Sequence, residues 1–182
     1  YERNGAAAMH IEDQVFPKRC GHLEGKTLVS QSEMVEKVVT ASENRSTKEF
    51  VLIARTDARG VDGMDAAIDR GLAYREAGAD MIFPEGLSDE EAFETFAQGC
   101  EGLLLANMTE FGKTPLFSIN ELLGAGVSMA LYPLSAYRAM SKAAENVYAT
   151  LRQDGTQKAA IGAMQTRDEL YEVLGYHDYE DK

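Results

Sequence analysis

FVLIARTDARGVDGMDAAIDRGLAYREAGADMIFPEG, residues 50–86, reads as one strand–helix–strand unit. It opens on the apolar run FVLIA (50–54) and closes on DMIFP (80–84). Neither run alternates with polar residues, so both read as strands buried on two faces. Between them, DGMDAAIDRGLAYREAG carries helical periodicity from Asp62 to a glycine stop at Gly78. A helix bridging two buried strands implies a βα unit in a parallel sheet.

The same alternation continues on both sides. Further apolar runs are AAAMHI (6–11), LLLAN (103–107) and VSMALY (127–132), which gives five strands in all. Helical segments lie between them, and four start on a capping box, a Ser or Thr followed three residues later by Glu. The pairs are Ser30/Glu33, Ser88/Glu91, Ser118/Glu121 and Thr166/Glu169. Ser135 to Arg152 reads as a long amphipathic helix closed by Gly155. No low-complexity linker or break in composition appears, so residues 1–182 read as a single domain.

Composition narrows the function. The chain has 182 residues, 45% hydrophobic and 26% charged, within the size of one domain or part of one. Its net charge of −12 argues against a nucleic-acid partner, though not against an anionic substrate, which responds to local charge. No apolar run reaches the ~18 residues of a membrane span, and no signal peptide is visible. Two cysteines, Cys20 and Cys100, form neither a disulfide framework nor a zinc site, so a reducing, cytoplasmic setting is expected. The opening YERNGAAAMH has no initiator Met, and a natural N-terminus is expected upstream.

Each apolar run is followed by polar groups: His10-Ile11-Glu12-Asp13-Gln14, Arg55-Thr56-Asp57, Pro84-Glu85, Asn107-Met108-Thr109-Glu110 and Tyr132-Pro133-Leu134-Ser135. In a (β/α)8 barrel the C-terminal strand ends share one face, and the active site lies there. Strands must end in polar loops anyway. That does not account for Arg, Glu and Asn set directly on the ends.

The loop DQVFPKRCGHLEGK (13–26) holds Cys20 between cations and a Gly-His pair. Lys18 and Arg19 favour the thiolate, and Gly21 frees the backbone, so Cys20 reads as an exposed nucleophile or proton donor. A buried, inert thiol is the alternative. Cys100, in AQGCEG, reads as structural.

KRCGH (18–22) resembles the signature loop of the isocitrate lyase and phosphoenolpyruvate mutase superfamily. The strings HIEDQVFPKRCGHLEGKTLVS, IARTDA, FPEG, LANMTEFG, LYPLSAYRAM and MQTRDELY resemble its 2-methylisocitrate lyase family along nearly the whole chain. The resemblance implies an α/β fold, a (β/α)8 TIM-type barrel of which this chain supplies the C-terminal five strands and following helices. It implies Mg²⁺-dependent cleavage of a small tricarboxylate, 2-methylisocitrate, to pyruvate and succinate in propionate breakdown. A cytoplasmic homotetramer with helices swapped between neighbours is also implied.

Residue roles carry over in the same way. Cys20 would be the general acid, Gly21 would supply an N–H beside it, and Lys18 and His22 would tune it. Arg55 would meet a substrate carboxylate, unless it is a structural ion pair. Glu85 would stand near the substrate, and Asn107, Met108 and Thr109 would cradle the succinate end. Arg138 and Arg167 would add substrate-binding cations; for Arg138 the alternative is a solvated helix charge. His10, on an otherwise apolar strand, reads from the residues alone as a satisfied core histidine. Glu12 and Asp57 would act near the metal through water. The family's metal-binding aspartate pair, expected just before the first strand, does not occur in this chain, and neither does the Ser-Gly-Gly loop upstream of it. No direct metal ligand is therefore expected here. The alternatives are an isocitrate lyase, another 2-oxoacid-cleaving member, or an inactive remnant.

Overall fold

The computed structural model describes residues 1–180, in two compact units that divide after Pro133. The first unit contains β1 (Ala8–Glu12), β2 (Val51–Thr56), β3 (Met81–Pro84), β4 (Leu103–Asn107) and β5 (Met129–Leu131). Its helices are α1 (Gln31–Glu43), α2 (Met64–Glu76), α3 (Glu90–Cys100) and α4 (Ile119–Gly124).

The five strands form one sheet in chain order, β1-β2-β3-β4-β5, and every pair is parallel. A doubly wound sheet reverses its order at a switch point, which lets helices cover both faces. Here the order never reverses, and right-handed crossovers carry every helix to the same face. That is the winding of a (β/α)8 barrel, of which the unit forms a five-stranded part.

Both faces of the central strands are buried, which explains the absence of alternation in their sequences. Leu52, Ala54, Ile82, Leu104 and Ala106 point toward the helices and join Met34, Val38, Tyr74, Phe93 and Phe96 in the larger core. Ile53, Met81, Phe83 and Leu105 form a smaller cluster on the opposite, inner face. Residues two further along β2, β3 and β4, namely Arg55, Glu85 and Asn107, continue that inner face at the strand ends.

Helix boundaries follow the capping chemistry. Ser30 accepts from the Glu33 N–H at the start of α1, while the Glu33 carboxylate turns to Lys37 at 2.7 Å. Ser118 and Glu121 form a full reciprocal box. Ser88 is not the cap of α3. Asp89 takes that place, accepting from the Ala92 N–H at 2.8 Å, and the Ser88 hydroxyl donates to it. A carboxylate is a strong cap and is further favoured by the helix dipole, so it displaces the hydroxyl one residue upstream. Gly78, at φ 106°, ends α2 where the sequence indicates.

The second unit contains α5 (Ser135–Asp154), α6 (Arg167–Leu174) and α7 (His177–Glu180). Gly155 and Gly175 close α5 and α6 in left-handed conformations, and Thr166 and Glu169 form the box that starts α6. No helix among the described residues is long and apolar enough to cross a membrane.

Candidate active site

Arg55 is the centre of the strand-end cluster. β-Sheet register sets Glu12 of β1 beside it. Its Nε lies 3.2 Å from Glu12 Oε2 and 2.9 Å from Asp57 Oδ2, and its Nη1 lies 3.2 Å from Glu85 Oε2. The guanidinium also sits 4.9 Å above the Phe83 ring, whose face attracts a cation. Around this core, Lys18 reaches Glu12 at 3.0 Å, Lys26 reaches Asp57 at 3.1 Å, and Asn107 donates to Glu85 at 3.3 Å. The pairs balance cations Lys18, Lys26 and Arg55 against carboxylates Glu12, Asp57 and Glu85.

Arg55, Asp57 and Glu85 are buried, so their charges survive only as partners. Burial alone would raise the Asp57 carboxyl. The Arg55 guanidinium bonded to it, together with Lys26, outweighs burial and holds its pKa below the ordinary range. Burial likewise works against the Arg55 cation, but its carboxylate partners, Asp57 first, raise its pKa overall.

Cys20 is exposed on an excursion whose limbs are tied at the neck. The Val29 N–H donates to the Asp13 carbonyl, and the Val15 N–H donates to the Thr27 carbonyl, each at 2.8 Å. Gln14 brackets Arg19, accepting from its N–H at 2.9 Å and donating to its carbonyl at 3.0 Å. Behind the neck, buried Asp13 accepts from Thr56 Oγ1, the Asp57 N–H, the Tyr74 hydroxyl and Arg70. The base of the loop, the end of β2 and α2 are thereby joined at one carboxylate.

The loop tip lies directly on the cluster. A β-carbon at Gly21 would overlap Glu85 Cγ and Arg55 Nη2, so only glycine fits there. His22 Nε2 stands 3.4 Å from Glu85 Oε1, an ion-pair separation without hydrogen-bond geometry. Its Nδ1 accepts the Lys113 N–H at 3.0 Å, which leaves the proton of the neutral ring on Nε2. His22 Nε2, Glu85 Oε1, Asn107 Oδ1 and Thr109 Oγ1 are all buried and lack a hydrogen-bond partner in the protein. Orphaned polar atoms are costly, and three of these residues, His22, Glu85 and Asn107, meet at Glu85, which suits that place to a polar ligand.

Magnesium does not fit these residues as direct ligands. Among the described residues no three His, Cys, Asp or Glu side chains converge as a metal site. The carboxylates of Glu12, Asp57 and Glu85 are each spent on Arg55.

The sequence profile of the family described as phosphoenolpyruvate phosphomutase matches residues 1–152. The chain belongs to this family. It is 55% identical over 178 residues to the 2-methylisocitrate lyase of Escherichia coli (strain K12), covering 98% of this chain and 60% of that protein. Among solved structures, a 2,3-dimethylmalate lyase superposes with TM-score 0.89 at 34% identity, over 100% of this chain and 60% of its own. A phosphonopyruvate hydrolase complexed with oxalate and Mg++ superposes with TM-score 0.84 at 29% identity, over 99% and 62% of the two chains. The chain thus spans about three fifths of the length of these family members.

Within this family fold, the structure gathers Glu12, Lys18, Gly21, His22, Arg55, Asp57, Glu85 and Asn107 into one contact network. Thr109 is buried after the end of β4. The Met108 side chain packs in the helix-side core and not among the strand-end polar groups. His10 is exposed by surface area and is not a core histidine; its ring stands edge-on to Phe83, and the partial loss of solvent there, then the nearby Arg55, lower its pKa. Arg138 stands on α5 and Arg167 opens α6, both in the second unit. Sequence reading did not single out Asp13, Gln14 or Lys26. Only the placement of Asp13 and Gln14 directly after a strand end hinted at them.

Proposed function

We propose that the protein containing this chain is a carbon–carbon lyase that cleaves 2-methylisocitrate to pyruvate and succinate. The observation that carries the reading is the exposed Cys20 thiol on a pinned loop whose next residue, Gly21, rests on Arg55 and Glu85. Identity to 2-methylisocitrate lyases supports the choice of substrate.

In the cleavage, the substrate alcohol loses its proton to a base and becomes the ketone of pyruvate. The electron pair of the broken carbon–carbon bond passes to a succinate carbon, which must take up a proton. Cys20 Sγ–H supplies it as general acid. Gly21, packed on the buried ion-pair cluster, fixes the approach of the thiol. Thr109 offers its Oγ1–H and His22 its Nε2–H as donors to the succinate end, beside Asn107, whose Nδ2 donates to Glu85 and whose Oδ1 is left to accept from a donor. The strand-end charges already balance, so a tricarboxylate needs further cations, and Arg138 and Arg167 are the residues we propose for that task. Mg²⁺ dependence, a cytoplasmic setting and a homotetramer with swapped helices belong to the same proposal and rest on the family resemblance.

The test is turnover by the naturally encoded protein, with magnesium supplied. Pyruvate released from 2-methylisocitrate much faster than glyoxylate from isocitrate supports the reading. The reverse preference, or no release of either, refutes it.

A further inference from the structure

The Lys26 side chain is buried, 4% exposed, and its ammonium lies in a slot with three walls. One wall is Asp57 Oδ1, at 3.1 Å. Another is the Gly21 carbonyl oxygen, to which Nζ donates. The last is Gly60, where a β-carbon would stand 3.1 Å from Nζ, so a residue without a side chain leaves the room. Lys26 is therefore the one described side chain that donates both to the tip of the Cys20 loop and to the end of β2. The same Asp57 carboxylate also holds Arg55 through Nε and Nη2.

We propose that Lys26 is the positioning residue of the Cys20 loop: its ammonium pins the Gly21 carbonyl to Asp57 and so sets where the Cys20 thiol points. The physical case is the orientation of a peptide unit. The pinned carbonyl belongs to the Gly21–His22 peptide, which glycine's free ψ would otherwise let turn, and fixing that unit fixes the path of the loop tip on which Cys20 sits. A buried ammonium supplies strong, charge-assisted donors, and Asp57 supplies the counter-charge that makes burial tolerable. The hydrogen bonds of Lys26 go to Gly21 and Asp57, so it acts on Cys20 through Gly21. The proposal rests on the lyase reading for its catalytic consequence, but the pin is a property of the loop itself.

The test compares Lys26→Met and Lys26→Gln with the natural protein by hydrogen exchange of the 16–26 peptide, by lyase kinetics and by thermal melting. The Met variant keeps the length of the chain but donates nothing, whereas Gln keeps a donor without the charge. In Lys26→Met, exchange of the loop should rise several-fold while α2 exchange is unchanged. The kcat should fall by on the order of tenfold to a hundredfold, the usual effect of a small misplacement of a reacting group, and KM should change far less. Lys26→Gln should fall between the two. Should Lys26→Met melt below the assay temperature, Lys26→Gln is judged by the same criteria. Loop exchange equal to the natural protein, or faster exchange with full kcat, overturns the proposal. If the natural protein does not cleave 2-methylisocitrate, the lyase reading fails, and the exchange result alone decides the pin: faster supports it, unchanged overturns it.

Discussion

Gly21 rests against Glu85 so closely that a β-carbon at position 21 would overlap the Glu85 side chain. The obstruction is Glu85 Cγ, deep in a buried side chain that is tied to Arg55, and cannot yield as a surface rotamer would. Gly21→Ala must therefore lift the loop or push Glu85 off Arg55. Overpacking of this kind costs about 1–3 kcal/mol. The variant should remain folded by circular dichroism, lose most lyase activity, and show faster hydrogen exchange across residues 16–26. An alanine variant with full activity would show that the loop works in a position other than the observed one.

Arg55→Lys should be far from conservative. The guanidinium bonds Glu12, Asp57 and Glu85 at once from a planar fork, which an ammonium cannot reproduce. At least one buried carboxylate then loses a charge-assisted hydrogen bond, at a cost of about 1.5–3 kcal/mol. Denaturant unfolding should show that loss with an unchanged slope, together with weaker substrate binding by calorimetry. Unaltered stability would mean that the cluster contributes nothing net to the fold.

Asp57 links stability to acidity. Its folded pKa is lowered, so the folded protein binds this proton less readily than the unfolded chain. Its contribution is complete above the unfolded value of about 4 and is lost as pH falls through that value toward the folded one. Melting temperature should fall as pH drops below about 4, and Asp57→Asn should flatten that part of the curve while lowering stability at neutral pH. An Asn variant with the natural acid slope would assign the transition to other carboxylates.

The strands β2, β3 and β4 were legible because burial on two faces leaves an unbroken apolar run. Arg55, Glu85 and Asn107 were legible as the first polar groups after those runs. The cap of α3 was misread because two good capping residues, Ser88 and Asp89, are adjacent, and only their competition for the Ala92 N–H decides between them. Lys26 and Asp13 were not legible as anchors. Lys26 meets Asp57 across 31 residues and Tyr74 meets Asp13 across 61. Such pairs depend on how the loop returns over the sheet, which no local pattern encodes. Met108 was misleading for a related reason: it lies between Asn107 and Thr109 in sequence, but its side chain points to the helix-side core.

The most direct measurement is the single-turnover rate of pyruvate release from 2-methylisocitrate by the natural protein and by Cys20→Ser. Serine keeps the shape of the side chain but is a much weaker acid. If the Cys20 thiol protonates the succinate carbon, the variant should slow by about 10²-fold or more while substrate affinity changes little. A Cys20→Ser protein that releases pyruvate at the natural rate would contradict the assignment of the proton to Cys20.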